Sequence, residues 1–164
     1  MAKFWLRGRV LDYGCGVGRL AAYVPPANYV GLDPDPESLD QARHTFPRHR
    51  FVTDFSAREK FDTIVALAVI EHLPDPLAFL EWASELLSQG GNVIITTPHR
   101  AFRRWHEWGA RIGLFSSEAA HEHNILFDSR SFDELLAKSR LRVIRYARFL
   151  GGANQFWLLR SRLD

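Results

Sequence analysis

Cysteine is almost absent from the sequence, because Cys15 is the only one among 164 residues. A single cysteine cannot form an internal disulfide, which excludes a disulfide framework and favours a reducing, cytoplasmic environment. Long apolar runs are also lacking. The longest, residues 64 to 70, is far shorter than the roughly 20 residues of a membrane-spanning helix, and the N-terminus lacks the apolar region of a signal peptide. We therefore expect one soluble domain over residues 1 to 164.

A large excess of one charge is missing too, since the formal net charge is only +2. Residues 1 to 90 carry 9 Lys and Arg against 12 Asp and Glu, whereas residues 91 to 164 carry 12 against 7. This modest basic bias, without a recognition module, does not favour a nucleic acid as partner. Most of the basic residues are arginine, which is consistent with a solvated basic face, with anion recognition or with composition alone.

What the sequence does contain is a glycine-rich turn between a short apolar strand and a predicted helix. Gly14, Gly16 and Gly18 permit positive φ and let a ligand approach a backbone that carries no Cβ. Asp12, at the end of the strand, is placed to order the turn. We expect the amides at the start of the helix to face the ligand with the positive end of the helix dipole. Cys15 is interpreted as a small turn residue and not as a nucleophile.

An acidic residue follows the second predicted strand. Asp33 lies 19 residues beyond Gly14, close to the interval of about 20 at which a carboxylate binds ribose hydroxyls in dinucleotide sites. The alternative is a helix-capping aspartate in a turn. The glycine spacing is GxGxG, and Arg19 stands where a dinucleotide fingerprint has its third glycine. Close packing against a pyrophosphate is therefore not favoured.

The pattern apolar-apolar-Asp-x-Gly-x-Gly-x-Gly, which begins at Val10, resembles the first motif of the class I (Rossmann-like) S-adenosylmethionine-dependent methyltransferases of the small-molecule type. Two later segments resemble the same family. One begins Phe61-Asp and continues to Glu71-His-Leu-Pro, and the other is Leu-Leu-x-x-Gly-Gly before an apolar strand that ends Thr97-Pro. The resemblance covers nearly the whole chain. It implies S-adenosyl-L-methionine as cofactor and S-adenosyl-L-homocysteine as product.

The resemblance also implies which residues bind the cofactor. The glycine turn meets its amino-acid part, the carboxylate after the second strand meets the ribose, and the residues after the third strand meet the adenine. With the small residue after the fourth strand, the implied set is Asp12, Gly14, Cys15, Gly16, Gly18, Asp33, Pro34, Asp54, Phe55 and Ala68. Without the resemblance, Asp54 would be interpreted as a loop carboxylate.

Histidines supply the candidate bases. The loop after the fourth strand of a doubly wound sheet opens at the switch point where ligands bind, so Glu71 and His72 could reach the methyl acceptor. His72 could accept a proton from a hydroxyl, or it could only order the loop. Residues 99 to 127 resemble the segment that forms the family's lid over the active site. Loops of this length inside a compact domain are usually functional. The segment contains the second candidate base, His123. His121 and His123 form a lone His-x-His pair without cysteines, so no metal site is expected.

The alternation of elements predicts an α/β fold. The terminal hairpin, over residues 141 to 150 and 155 to 160, resembles the family's ending and implies a three-layer doubly wound sheet with strand order 3-2-1-4-5-7-6 and strand 7 antiparallel. Helices are expected over residues 19 to 24, 36 to 44, 76 to 87 and 131 to 138. We expect Gly90-Gly91 to end the third of these helices and a capping box at Ser131 to open the fourth.

Taken together, we expect a methyltransferase that acts on a hydroxyl of a small-molecule, glycan or lipid acceptor. The Asn/Asp-Pro-Pro-Tyr motif of nucleobase amine methylation is absent after the fourth strand. The helices that commonly precede the first strand in the family are not present before residue 9, so a homodimer or a partner chain could complete the lid. Two alternatives stay open: a cofactor-binding subunit that is not catalytic alone, and an NAD-dependent oxidoreductase, against which Arg19 and the terminal hairpin argue.

Overall fold

A computed structural model describes residues 2 to 54, 59 to 99 and 127 to 163. Its strands are β1 (Val10–Tyr13), β2 (Tyr29–Leu32), β3 (Arg50–Val52), β4 (Phe61–Leu67), β5 (Leu87–Pro98), β6 (Leu141–Phe149) and β7 (Asn154–Ser161). Its α-helices are α1 (Pro36–Thr45), α2 (Pro76–Leu86) and α3 (Ser129–Leu136). Short 3₁₀ segments cover Ala2–Trp5, Arg19–Tyr23, Pro26–Asn28 and Ile70–His72.

All seven strands form one sheet with the order β3-β2-β1-β4-β5-β7-β6. The first five strands are parallel where they pair, and β7 is antiparallel to both of its neighbours, β5 and β6. The predicted strand order and the antiparallel last strand are therefore confirmed. Since β1 and β4 are neighbours, their carboxyl ends meet at the switch point of the sheet, where open α/β folds bind ligands.

Side-chain alternation along the central strands divides the core into two layers. Leu11, Ile64 and Ile95 pack on the side of α2 and α3, whereas Val65 and Ile94 pack on the side of α1. The apolar, β-branched sequence of β4 fits this position, because a parallel strand covered on both faces has no solvent-facing residue to keep polar. The three-layer architecture is confirmed, and it leaves the carboxyl edge of the sheet as the place for a site.

The prediction of a helix after the glycine turn is wrong. Arg19–Tyr23 forms a 3₁₀ segment, because Pro25 and Pro26 follow at once and proline cannot donate the hydrogen bonds that would continue a helix. A five-residue 3₁₀ segment has little macrodipole. The argument that a helix dipole faces the ligand therefore does not hold for this chain.

Two other predicted boundaries are wrong. Helix α2 ends at Leu86 and β5 begins at the next residue, so Gly90, which has φ of 67°, lies inside the strand and does not end the helix. The capping box of α3 is opened by Asp128, whose side chain accepts a hydrogen bond from the Ser131 amide at 2.8 Å, while the Ser131 hydroxyl bonds the Asp128 amide. Ser131 is thus the third residue of the helix and not its cap.

Most of the predicted lid lies outside the described residues, since only His99 and Phe127 of that segment are described. Over the part of the chain that the structure describes, no helix is long and apolar enough to cross a membrane.

Candidate active site

The glycine turn lies at the carboxyl ends of β1 and β2. Gly14, Gly16 and Gly18 all have positive φ, of 70°, 49° and 75°, a conformation that glycine adopts without the steric cost of a Cβ. The amides of Gly14 and Cys15 both donate to the Leu32 carbonyl, at 2.8 and 3.1 Å. These bonds tie the turn to the end of β2, so the first half of the turn is fixed by the sheet.

The three glycines differ in what surrounds them. A Cβ at Gly14 would lie 2.5 Å from Val69, and one at Gly18 would lie 2.7 Å from the ring of Phe51. A Cβ at Gly16 would meet no atom within 4 Å. Gly14 and Gly18 are therefore required by the packing of the protein itself. Gly16 faces open space, which is what a backbone cradle for a ligand needs.

Asp33 is held at the mouth of this cradle. Its Oδ2 accepts a hydrogen bond from the Gly16 amide at 2.7 Å, and its Oδ1 accepts one from the Asp35 amide at 3.0 Å. The structure thus brings Asp33 and Gly16 together at the end of β2. Helix α1 is capped by Asp35, whose carboxylate accepts from the Glu37 and Ser38 amides. Asp33 therefore does not cap the helix, and its remaining lone pairs do not accept hydrogen bonds from the helix amides.

Asp12 is a buried carboxylate directly beneath the turn. It is 4% exposed, and its Oδ2 accepts a hydrogen bond from the Tyr29 hydroxyl at 2.7 Å. Burial raises the pKa of Asp12 from 3.8 to about 6, a shift that the Tyr29 hydrogen bond opposes and the nearby charge of Asp33 reinforces. Burial likewise raises the pKa of Tyr29. At neutral pH Asp12 is therefore an ionised carboxylate in surroundings that disfavour its charge. A cationic group of a ligand would stabilise that charge.

Cys15 packs into the protein behind the turn. Its Sγ lies 2.9 Å from the position that a Cβ on Gly31 would take. Burial, with the neighbouring Asp12 and Asp33 charges, raises the pKa of the thiol to about 12. The thiolate is the nucleophilic form of cysteine, so burial disfavours Cys15 as a nucleophile at neutral pH.

The loop after β4 begins with a strained residue. Ala68 has φ of 55°, a left-handed conformation that is unfavourable for any residue with a Cβ, and its amide donates to the Thr96 carbonyl on β5 at 2.9 Å. Val69 then contacts the glycine turn at Gly14. Strain of this kind concentrates at sites that contact ligands. The Ala68–Thr96 hydrogen bond and the Val69 contact hold the loop after β4 against the glycine turn.

Glu71 and His72 point to different environments. Glu71 is 2% exposed, and burial raises the pKa of its carboxyl, with its own backbone amide, Thr97 and His72 acting in the opposite direction. His72 is exposed. The structure therefore makes His72 accessible to an acceptor and Glu71 inaccessible.

Sequence reasoning missed His99 as a candidate base. It follows β5, next to the loop after β4, and its amide donates to the Ala153 carbonyl in the β6–β7 hairpin at 2.8 Å. Burial and then the Arg148 charge lower the pKa of the imidazole, against a smaller opposing effect of Asp128. A lowered pKa keeps the ring neutral, and so able to accept a proton. Its place at the carboxyl end of a central strand was the signal that could have identified it.

An aromatic cavity adjoins the turn on the α2 side. Its volume is about 420 Å³, and its lining residues are Tyr13, Leu73, Pro74, Asp75, Ala78, Phe79 and Trp82. The Tyr13 ring lies 4.8 Å from that of Phe79 and 5.2 Å from that of Trp82, measured between centroids. The cavity offers ring faces to a flat apolar group beside the cradle.

The remaining predicted site residues are Pro34 and Asp54, which follow β2 and β3 at the same edge of the sheet. Phe55 and His123 lie outside the described residues. The carboxyl edge thus collects Asp12, Gly16, Asp33, Asp54 and Ala68.

Known proteins share this fold and sequence pattern. A model of the methyltransferase domain family matches residues 2 to 146, most of the chain. The chain belongs to this family. The resemblance to class I S-adenosylmethionine-dependent methyltransferases is confirmed with it.

One methyltransferase relative is the ubiquinone biosynthesis O-methyltransferase of Cereibacter sphaeroides, which is 34% identical over 103 residues; the match covers 56% of this chain and 42% of that protein. The chain therefore spans less than half the length of this relative. Among solved structures, an S-adenosylmethionine-dependent methyltransferase from Mesorhizobium loti has a TM-score of 0.75 at 14% identity, covering 96% of this chain and 93% of that one. The magnesium protoporphyrin IX methyltransferase of Synechocystis, solved with bound S-adenosylhomocysteine, has a TM-score of 0.70 at 19% identity and covers 98% and 78%.

Proposed function

We propose that this methyltransferase domain binds S-adenosylmethionine at the carboxyl edge of its sheet and transfers the methyl group to a hydroxyl oxygen of a small-molecule, glycan or lipid acceptor. The observation that carries the proposal is the cradle itself. Gly16 faces open space with positive φ, and Asp33 is bonded to its amide. A backbone without a Cβ beside an oriented carboxylate is suited to a nucleoside with a charged amino-acid tail.

The residues of the cradle fit the parts of this cofactor. Asp12 would hold the ammonium group of the amino-acid part, because a buried carboxylate with a raised pKa gains most from a nearby cation. Asp33 and Pro34 would meet the ribose, and Asp54 with Phe55 the adenine. The turn residues Gly14, Cys15 and Gly18 would support the contact through the backbone, and Ala68 would border the methyl group.

S-adenosylmethionine supplies a methyl group on a positively charged sulfur. The protein then has to align the acceptor oxygen with the methyl carbon and the sulfur, and to exclude water. A histidine that takes the hydroxyl proton would contribute about 10²- to 10⁴-fold. The candidates are His72, which is accessible, His99, whose pKa is lowered, and His123 in the lid.

A hydroxyl acceptor is supported by the relatives, whose names describe O-methyltransferases of ubiquinone biosynthesis. Those names apply to the relatives, and the match with this chain covers less than half the length of each relative. The acceptor class therefore stays as wide as a small-molecule, glycan or lipid hydroxyl. The single-domain organisation with a lid, the cytoplasmic location and a homodimer or partner chain that completes the lid also stay predictions.

Calorimetric titration with S-adenosylmethionine and S-adenosylhomocysteine tests the proposal. Asp33→Ala is expected to weaken binding at least tenfold, because both the ribose contact and the bond to the Gly16 amide are lost. Asp40→Ala is the matched control, since this carboxylate is exposed on α1 and pairs with Arg43. Absence of binding to the unsubstituted protein would contradict the proposal. Binding without methyl transfer to any hydroxyl compound would favour the non-catalytic subunit.

A further inference from the structure

Three arginines converge at the end of the sheet opposite the cradle. Residues Thr63, Asn92, Arg160 and Arg142 are register partners across β4, β5, β7 and β6, so their side chains form one row on one face of the sheet. Arg7, which precedes β1, reaches the same row, because its backbone amide donates to the Thr63 hydroxyl at 3.2 Å.

A single buried oxygen fixes two of these guanidinium groups. Asn92 is 3% exposed, and its Oδ1 accepts from Arg7 Nη2 at 3.2 Å and from Arg160 Nε and Nη2 at 3.3 Å. Arg7 also donates to the Gly90 carbonyl. Two cations are thus held within hydrogen-bond distance of the same neutral atom. A guanidinium has five N–H donors, so most donors of this pair are not used by Asn92.

The third arginine adds to the positive charge. Arg142 lies directly opposite Arg160 in the antiparallel ladder, an arrangement that is destabilising for like charges. Among the described residues no carboxylate forms an ion pair with Arg7, Arg142 or Arg160. Other arginines of the same protein are paired, as Arg9 and Arg50 are with Glu59.

The surrounding hairpin has the same character. Residues 138 to 142 and 160 to 163, which lie at this end of the hairpin, contain five Lys and Arg and no Asp or Glu. β6 is an edge strand with a bulge between Val143 and Arg145, and bulges and charged side chains are devices that prevent another strand from pairing with an edge. The positive face is therefore better suited to an anion than to strand addition.

We propose that Arg7, Arg142 and Arg160 form a binding site for a phosphoryl group, spaced by the buried amide of Asn92. The planar donor fork of arginine matches the oxygens of phosphate and binds them in pairs. A dianion at this place would offset the repulsion between Arg142 and Arg160. The ligand is either a soluble phosphorylated compound or the headgroup of an anionic lipid. The site does not depend on the cofactor cradle, which lies at the other ends of β4 and β5.

Pyrophosphate and vesicles are the two probes. Calorimetric titration with pyrophosphate, and co-sedimentation with vesicles of phosphatidylglycerol against phosphatidylcholine, are run at constant ionic strength because exposed charges are screened by salt. We expect Arg142→Gln to weaken binding about tenfold. The control is Arg130→Gln, which removes the same charge from an 89% exposed side chain on α3.

A second variant keeps all three arginines in place. Asn92→Asp puts a carboxylate of the same shape between Arg7 and Arg160, so it supplies the counter-charge internally and is expected to reduce anion binding. Binding of pyrophosphate assigns the site to a soluble ligand, and binding of phosphatidylglycerol vesicles alone assigns it to a lipid headgroup. The proposal is overturned if neither probe binds, if Arg130→Gln weakens binding as much as Arg142→Gln, or if Asn92→Asp has no effect. Cofactor affinity, measured on the same samples, separates this result from that of the proposed function.

Discussion

The carboxyl ends of β1 to β4 collect carboxylates, whereas the opposite ends of β4 and β5, with the start of β6 and the end of β7, collect guanidinium groups. At the first end Asp12 and Glu71 are nearly buried, and burial raises the pKa of each. At the second end Arg142 faces Arg160 with no described carboxylate beside them. Neither arrangement is the one that would maximise stability, because pairing the two sets of charges would stabilise both.

Glu59 shows the contrasting arrangement. It binds both Arg9 and Arg50, and the bond from Arg50 is the main reason that its pKa is lowered. Glu59, Arg9 and Arg50 thus form a structural ion-pair cluster in which opposite charges lie together. Charges that the fold keeps apart, at a cost in stability, are better explained by ligands that complete them. This difference can be tested at each end of the sheet.

The largest expected effect concerns the proton acceptor at the carboxyl edge. His99 follows β5 at this edge, and the charge of Arg148, which lies at the same edge near the end of β6, helps to lower its pKa. If His99 is the base, His99→Gln lowers kcat by about 10²- to 10⁴-fold, and the acid limb of the pH–rate profile disappears. Arg148→Gln leaves the plateau rate unchanged and moves that limb to higher pH.

His72→Gln is the companion variant for this measurement. It removes an accessible imidazole from the loop after β4 and is expected to leave the acid limb in place. Loss of the limb in His72→Gln, together with its persistence in His99→Gln, would assign the proton transfer to His72 instead.

The second effect concerns the open space at Gly16. Gly16→Ala is expected to reduce affinity for S-adenosylmethionine by about 100-fold, or roughly 2.7 kcal/mol, because its Cβ would occupy the cradle. Gly90→Ala is a close control: Gly90 also has positive φ, and a Cβ there would also meet no atom within 4 Å, but it lies far from the cradle. Both variants are expected to unfold at similarly lowered temperatures. Equal affinities for the cofactor would place the ligand elsewhere.

The third effect follows from the raised pKa of Asp12. A carboxyl whose folded-state pKa is about 6, against 3.8 in the unfolded chain, gives its full stability below the lower value and loses it as pH rises through the higher one. Asp12→Asn removes the charge and retains an acceptor for the Tyr29 hydroxyl. Its free energy of unfolding should therefore exceed that of the native protein by up to about 3 kcal/mol at neutral pH, with little difference near pH 4.

Urea denaturation at the two pH values measures this difference. Cofactor binding should change in the opposite direction, since the variant loses the charge proposed to hold the ammonium group. An Asp12→Asn variant that is no more stable than the native protein at neutral pH would contradict the raised pKa.

The sequence predicted most of the fold because its signals were local or came from the resemblance. The apolar β-branched residues of β4 and the Gly151–Asn154 turn of the hairpin indicate their elements directly. The 3₁₀ segment after the glycine turn and the entry of Gly90 into β5 were missed, because each depends on tertiary pairing that overrides local propensity. In the site, the interval between Gly14 and Asp33 indicated two neighbouring strand ends, but the hydrogen bond from the Gly16 amide to Asp33 was not predicted. The arginine row was not predictable, since Arg7, Asn92 and Arg160 are adjacent only after the strands have been ordered.

The smallest effect compares two strained residues at the carboxyl edge, one in the loop after β4 and one in the β6–β7 turn. Ala68 and Leu150 have φ of 55° and 51°, and glycine adopts this conformation without the Cβ clash, so each substitution to glycine should raise the free energy of unfolding by about 1 kcal/mol. The two should differ in function. Leu150 is an exposed residue of the hairpin turn, so Leu150→Gly should leave cofactor affinity unchanged. Ala68→Gly loosens the loop that contacts the glycine turn, and should weaken affinity about twofold to fivefold if the strain at Ala68 serves to hold the cofactor. Thermal unfolding and calorimetry on both variants distinguish strain that supports binding from strain that only closes a turn.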